Sequence, residues 1–194
     1  METRVTWPVA GLELRREGRR PVIAGRFPYG GLAVLSDRGS VRKERIMQGA
    51  FDFTLDDEDL EVNLLFGHDF DKPLASRRNG SLILADSDDA LTFTANIDPA
   101  LEDVTHVRDA LKMLGAGLVT GISPGFRVPS KQAVPGAERL DPEPGNPSVM
   151  IRSIMALVLY ELSLVTRPAY AESQAELRAL QHAQPLRQER LLLP

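Results

Sequence analysis

Short segments in which apolar and polar residues alternate dominate the chain. In the clearest, residues 91–97, an apolar side chain occupies every second position, which is the period of a half-buried strand. Residues 81–85 precede it, and the acidic stretch 86–89 between them suits the turn of a hairpin. Further predicted strands, bounded by Gly, Pro or acidic residues, are 22–27, 31–35, 62–66, 126–128 and 151–166.

One segment has helical spacing instead. Asp98 is a suitable N-cap and Pro99 a suitable first residue, and Gly115 is a suitable end. Apolar residues recur between them at the spacing of one helix face, namely Val104, Val107, Leu111 and Leu114. His106 lies off this apolar stripe, so we expect it to be solvated. A second, polar helix is predicted over 171–183, followed by a frayed tail.

Residues 129–148 contain five prolines together with glycines and charged residues, a composition typical of a mobile loop. Many short strands with few helices favour an α+β domain built on an antiparallel barrel or curled sheet. We therefore expect one domain over residues 1–170, with the mobile loop inside it, and a C-terminal helix and tail over 171–194.

Composition excludes several classes of function. The chain has 194 residues, no cysteine and a net charge of −4, so disulfides and thiol catalysis are excluded and nucleic-acid binding is not expected. The basic residues at 15–20 are interrupted by Glu17 and predict a solvated hairpin. The acidic run 56–59 has no neighbours that complete a metal-ligand set. We expect no cofactor, no metal, no signal peptide and no membrane span.

The candidate chemistry starts at Ser123, which lies in the stretch Gly121-Ile122-Ser123-Pro124-Gly125. Glycines allow sharp turns and the close approach of another group, and a serine between them can present its hydroxyl as a nucleophile. An ordinary strand that ends in a Gly-Ser-Pro-Gly turn would have the same residues. The helix that follows the nucleophile of an α/β-hydrolase is missing here, so that fold is rejected.

A serine nucleophile needs a base, and the base needs a group that fixes its tautomer. His68 follows an apolar strand, and histidine is the residue type that titrates near neutrality. Glu161 lies on a predicted strand that is apolar on both faces, where a carboxylate is costly unless it has a partner. His68 is one candidate partner; the other candidates are arginines, Arg127, Arg152 and Arg167.

Pro124 constrains the site further, because proline has no backbone N–H. In many serine hydrolases the backbone N–H of the residue after the nucleophile donates a hydrogen bond to the oxyanion. Pro124 cannot make this bond. Ser123, Gly125 or a loop brought in on assembly must supply that donor, with Arg127 as a candidate source of charge.

Several stretches, in this order, resemble the prohead serine protease family of tailed bacteriophages, which also occurs in prophages and gene-transfer particles. They cover roughly residues 20–172. The matching stretches are Ile23-Ala24-Gly25 through Ala33-Val34, then Arg45 to Phe51, the His68 segment, Gly121 to Phe126, and Glu161 to Ala169.

The resemblance implies a fold like that of the herpesvirus assembly proteases, a β-barrel with a few surrounding helices. It implies a serine endopeptidase that acts inside the procapsid in the host cytoplasm and cleaves scaffold, or the scaffold-like N-terminal part of the major capsid protein, and itself. By motif position Ser123 matches the nucleophile, His68 the base and Glu161 the third member. His106 is the competitor for that third place, since the herpesvirus relatives use a second histidine.

The implied partners are the major capsid protein with its scaffold-like segment, the portal as a further candidate, and a second copy of the chain. We expect self-cleavage in residues 129–148 or in the tail after about Ala183, because only unpacked segments can enter a cleft in extended form. Two other functions compatible with the sequence are a non-catalytic capsid-assembly or scaffold protein with the same fold, and a small esterase.

Overall fold

The computed structural model describes residues 4–9, 11–37 and 40–168. Within this part the chain is mainly β, with two short α-helices and one 3-10 turn. In chain order the elements are β1 (Arg4–Val9), β2 (Leu12–Glu17), β3 (Arg20–Pro28), β4 (Ala33–Asp37), β5 (Ser40–Ile46), α1 (Asp52–Leu55), β6 (Asn63–Phe66), β7 (Asp69–Ser76), β8 (Leu82–Asp86), β9 (Ala90–Asn96), the 3-10 turn (Pro99–Leu101), α2 (Thr105–Gly115), β10 (Gly121–Arg127), β11 (Glu138–Glu143), β12 (Asn146–Ile154) and β13 (Val158–Val165).

The described strands form three sheets. Their strand orders are β1-β2-β3-β9-β8, β10-β13-β6-β7 and β11-β12-β5-β4. Neighbouring strands are antiparallel except for two parallel pairs, β12 with β5 and β13 with β6. The predicted predominance of antiparallel strands with few helices is confirmed. No closed barrel is found among the described strands, so the barrel stays a prediction.

One apolar core joins the three sheets and α2. Because alternate residues of a strand lie on opposite faces, each sheet contributes one row of side chains to this core. Its fully buried members include Ile23, Phe51, Leu64, Leu91, Ile154 and Leu162.

The predicted helix is shorter than its sequence pattern. Asp98 does cap a turn, since its side chain accepts from the Ala100 N–H, but that turn is the 3-10 turn. The α-helix begins at Thr105, so Val104 is 38 % exposed and does not join the apolar face. At the other end Gly117, with φ +70°, makes the left-handed C-terminal cap. Its N–H bonds to the Leu114 carbonyl, as in a Schellman motif.

The loop predicted over residues 129–148 contains regular structure. Residues 138–143 form β11, and β12 begins at Asn146, so the two strands make a hairpin. The loop interpretation is therefore wrong for these residues. The interpretation rested on the prolines, which are compatible with strands at these positions. Pro142 lies on β11, an edge strand, and Pro147 is the second residue of β12. Both places tolerate a missing N–H.

The predicted strand 151–166 is two strands in two different sheets. β12 ends at Ile154 and β13 begins at Val158. The corner between them is held by backbone bonds from Met155 and Ala156 to the Ala137 carbonyl. This corner places β13 at the centre of the second sheet, between β10 and β6. The predicted C-terminal helix and the tail after it lie outside the described residues.

Candidate active site

His68 lies in the tight turn that joins β6 to β7. Phe66 pairs with Asp69, so Gly67 and His68 are the two central residues of a hairpin turn. Their φ angles are +70° and +60°, and two consecutive positive values are what a type I′ turn requires. Among the described residues His68 is the only non-glycine with positive φ. This backbone is unfavourable for a residue with a side chain, and such positions concentrate at functional sites.

Glu161 supplies the partner of the His68 ring. Its side chain is buried on β13, and its Oε1 lies 2.6 Å from His68 Nδ1. The contact predicted from the cost of burying a carboxylate is thus present. Because an ionised carboxylate only accepts hydrogen bonds, this contact assigns the single proton of a neutral ring to Nδ1, and Nε2 of that tautomer keeps its lone pair. The ring is about half exposed, at 47 %.

Two of the three arginines considered as alternatives make other contacts. Arg152 pairs with Glu44 and Glu138 in the third sheet. Arg127 is exposed and lies over the Tyr160 ring, 5.8 Å from its centroid. Neither is among the hydrogen-bond partners of Glu161, which are His68 and Ser163 in the described part of the chain.

Ser123 lies one strand away from this pair. It is on β10, directly opposite Ser163 of β13, and residues paired in this way project from the same face of a sheet. Glu161 is two residues before Ser163 and shares that face. The Ser123 residue is 6 % exposed, and its hydroxyl makes no hydrogen bond to any residue that the structure describes. A bond from this hydroxyl to His68 Nε2 stays a prediction, and such bonds often tighten only when substrate binds.

The two glycines around Ser123 permit close approach, not a turn. β10 runs without a break from Gly121 to Arg127, so the alternative of a strand that ends in a Gly-Ser-Pro-Gly turn is wrong. A Cβ on Gly121 would lie 2.5 Å from the Pro168 ring. A Cβ on Gly125 would lie 2.1 Å from Glu161 Oε1. The glycine at 125 therefore leaves the space that the carboxylate of the candidate site occupies.

A β-bulge on β13 separates the site from the core. Gly125 pairs with Glu161 but Phe126 pairs with Leu159, so Tyr160 is an extra residue on β13. The bulge changes which residues share a face: Leu159 joins Leu162 in the apolar core, and Tyr160 is 37 % exposed. Strict alternation along the predicted strand would put Leu159 on the same face as Glu161, and the bulge is the reason why it lies on the other face.

Ser163 is the residue of this arrangement that the sequence analysis did not single out. It is fully buried, its Oγ donates to Glu161 Oε2 at 2.7 Å, and the His68 N–H donates to the same Oγ at 2.8 Å. The available signal was a polar residue two positions after Glu161 on a predicted buried strand. Such a residue shares the face of Glu161 and needs a hydrogen-bond partner.

His106, the competitor for the third place, and Asp69, the residue after His68, have partners of their own. The His106 Nε2 lies 2.9 Å from the Pro73 carbonyl of β7, so the ring contacts this strand and is not simply solvated. Asp69 lies 2.8 Å from the Lys72 ammonium, and this hydrogen bond is the main reason why the pKa of Asp69 lies below its ordinary value. Neither side chain is hydrogen-bonded to the His68 ring in the described part of the structure.

Comparison with known proteins identifies the family of this chain. The sequence model of the caudovirus prohead serine protease family matches residues 31–187. This chain belongs to that family. The resemblance predicted from the sequence is confirmed, although the match begins after the Ile23-Ala24-Gly25 stretch. The family is one of capsid-maturation serine proteases that act in the procapsid, and protease chemistry in capsid assembly is the function that membership supports.

No curated protein and no solved structure matches the chain significantly. Within the described residues no group of three or more His, Asp or Glu side chains is arranged to hold a metal ion. Among the helices described, none combines the length and the apolar character needed to cross a membrane.

Proposed function

We propose that the chain is a serine endopeptidase in which Ser123 is the nucleophile, His68 the general base and Glu161 the residue that orients and stabilises the histidine. The observation that supports this most directly is the 2.6 Å contact between His68 Nδ1 and Glu161 Oε1. A second support is the register of β10 with β13, which puts Ser123 on the face that carries Glu161. Membership of a serine protease family supplies the reaction class.

In the first half of the reaction, Ser123 Oγ attacks the scissile carbonyl carbon while His68 Nε2 accepts the hydroxyl proton. The tautomer selected by Glu161 leaves Nε2 free to do this. The ring becomes cationic, and the adjacent carboxylate stabilises that charge. The C–N bond then breaks, the Nε2 proton passes to the leaving amine, and the acyl group remains on Ser123.

In the second half, His68 Nε2 accepts a proton from water, whose oxygen attacks the acyl carbon. The Ser123 ester bond breaks, the proton returns to Ser123 Oγ, and the carboxylic acid product leaves. The oxyanion of each step needs N–H donors other than that of residue 124, which is a proline. Ser123 and Gly125 stay the candidates on β10, and Arg127, which lies over the Tyr160 ring, stays a candidate source of charge.

The substrate that fits a prohead protease is a capsid-assembly protein. We propose cleavage of scaffold, or of the scaffold-like N-terminal part of the major capsid protein, inside the procapsid, with the portal and a second copy of the chain as further partners. Self-cleavage is proposed for residues 129–136 or for the tail after about Ala183. The first segment is mostly exposed and precedes the paired strand β11, so it can be drawn into a cleft without breaking the hairpin.

The deciding experiment compares wild type with Ser123→Ala. Co-expression with the cognate capsid protein should give processed capsid protein with wild type only, and a fluorophosphonate probe should label wild type at Ser123. Loss of the nucleophile is expected to lower kcat by about 10⁶-fold, while the small change leaves the fold intact. Mass spectrometry of both purified chains maps self-cleavage, which should be absent from Ser123→Ala.

Each other outcome has a definite meaning. Labelling and processing that persist in Ser123→Ala would show that another residue is the nucleophile. A folded wild type that is neither labelled nor active would support a non-catalytic assembly protein. Hydrolysis of simple esters without cleavage of capsid protein would support a small esterase.

A further inference from the structure

Ser163 connects His68, in the turn between β6 and β7, to Glu161 on β13. It belongs to β13, between Ser123 of β10 on one side and Leu65 of β6 on the other. Its hydroxyl contacts the backbone of His68 and the side chain of Glu161. Together with the contact between Glu161 and the His68 ring, these bonds form a closed circuit of three hydrogen bonds.

The direction of every bond in this circuit is determined by its chemistry. The His68 N–H can only donate, so the Ser163 oxygen accepts there. The single proton of the Ser163 hydroxyl is then directed to Glu161 Oε2. The other carboxylate oxygen, Oε1, accepts from the His68 ring. Ser163 thus holds one oxygen of Glu161 in place, and this orients the other oxygen toward Nδ1.

The same hydroxyl supports the unusual backbone of His68. A residue with φ +60° needs contacts that hold it in this conformation. The bond from the His68 N–H to Ser163 Oγ is one such contact, and the bond from the Gly67 N–H to the Leu164 carbonyl is another. Both anchor the turn to β13. A small movement of the turn would shift the ring relative to Ser123.

Ser163 is not itself a nucleophile. The residue is fully buried, so substrate cannot reach its oxygen, and its proton is already donated to Glu161. Ser123 is 6 % exposed, against 0 % for Ser163, and has a hydroxyl without a hydrogen bond among the described residues. The two serines are paired across β10 and β13 but have different environments. Ser123 therefore suits a nucleophile, and Ser163 suits a residue that holds its neighbours in place.

We propose that Ser163 is a positioning residue that fixes the His68 turn and the Glu161 carboxylate for the reaction at Ser123. This inference rests on the proposed function of Ser123, His68 and Glu161. It predicts that loss of the Ser163 hydroxyl slows the chemical step and leaves substrate binding unchanged, because among the described residues this hydroxyl bonds only to His68 and Glu161.

The first test uses fluorophosphonate labelling of Ser123 in the full chain, with Ser163→Ala, Ser163→Thr and Ser153→Ala. Ser163→Ala should lower the maximal labelling rate by about 10-fold to 100-fold, the range that follows from misplaced groups, with the probe concentration for half-maximal rate unchanged. Ser163→Thr keeps the hydroxyl and should retain more of the rate. Ser153 is the matched control: it is a fully buried strand serine whose hydroxyl bonds Arg45 in the third sheet.

The second test is NMR of the Ser123→Ala chain, in which activity plays no part. The His68 Nδ1 proton should resonate far downfield, as expected for a ring N–H bonded to a carboxylate, and the His68 amide should exchange slowly with solvent. Adding Ser163→Ala should shift or broaden the ring signal and speed amide exchange. If that double variant does not fold, the rate of His68 amide exchange in Ser123→Ala alone decides the test.

A wild-type labelling rate in folded Ser163→Ala overturns the inference, and so does an equal loss in Ser153→Ala. An unprotected His68 amide in Ser123→Ala overturns it as well. Failure of the proposed function gives a different result, since wild type, which retains Ser163, would then not be labelled at Ser123.

Discussion

Gly125 and Glu161 are so close that a side chain on the first would occupy the space of the second. A Cβ on Gly125 would lie 2.1 Å from Glu161 Oε1 and 2.7 Å from its Cδ. Gly125 has no positive φ and is part of β10, so its backbone does not require glycine. The carboxylate that bonds His68 therefore lies against a strand position where only glycine leaves enough room.

Gly125→Ala should damage activity far more than stability. The atoms in the way belong to the end of a flexible side chain, so the carboxylate can move aside and the chain can fold. Its contact with His68 Nδ1 would be lost, and displacement of about 1 Å can cost about 10²-fold in rate. We expect kcat for capsid-protein cleavage to fall by about that factor, with a small change in Tm.

Gly115→Ala is the control for this substitution. A Cβ there would meet only Leu14 Cδ2, at 3.7 Å, which is ordinary van der Waals contact. Its activity should equal that of wild type. A Gly125→Ala chain with unchanged kcat would show that Glu161 does not need its observed position.

Sequence predicted that Glu161 has a partner, because this follows from a local cost, and the family resemblance then favoured His68 over the arginines. A carboxylate on a strand that is apolar on both faces needs a partner, although the two residues are 93 positions apart. The same reasoning did not identify Ser163, because buried serines are common and their hydroxyls can find hydrogen-bond partners in many ways. Its role depends on the parallel register of β13 with β6, which no local pattern determines.

In the fold as well, features set by neighbouring residues could be predicted, and features set by a distant strand could not. Alternation predicted the β8–β9 hairpin because both faces are set by neighbouring residues. The bulge at Tyr160 and the corner after Ile154 depend on which strand lies alongside, so alternation missed them. Proline content led to the wrong prediction of a loop at Pro142, because composition does not reveal that a strand lies at the edge of a sheet.

Thr54 offers a test of how the start of β13 is held. It is fully buried on α1, its hydroxyl donates to the Leu157 carbonyl at 3.2 Å, and it accepts from the Leu159 N–H at 2.8 Å. Thr54→Val keeps the shape and removes both bonds. A buried N–H left without a partner costs about 1–3 kcal/mol, so the free energy of unfolding in urea should fall by about that amount.

Thr54→Ser is the matched control, since it retains the hydroxyl and loses only a methyl group. It should be more stable than Thr54→Val. The opposite order would mean that packing of the methyl group, and not the bridge to β13, is what Thr54 contributes.

The last prediction separates Glu161 from His106 as the third member of the site. Glu161 accepts from two donors, the His68 ring and the Ser163 hydroxyl. In Glu161→Gln one of the two oxygens becomes an NH₂ group, so one of these donors must face another donor. If the ring adapts by accepting at Nδ1, its proton moves to Nε2, and the ring can no longer act as base. We therefore expect kcat for capsid-protein cleavage to fall by about 10⁴-fold in Glu161→Gln, less than the loss in Ser123→Ala.

His106→Ala should be nearly silent in the same assay. Its Nε2 bonds the Pro73 carbonyl on the far edge strand of the sheet, so its removal frees one backbone acceptor and leaves the Glu161–His68 contact unchanged. Circular dichroism and thermal unfolding of each variant would establish that the loss in Glu161→Gln is not a loss of fold. A damaging His106→Ala combined with a mild Glu161→Gln would assign the third place to His106, because only a residue that supports the His68 ring during the reaction would show that pattern.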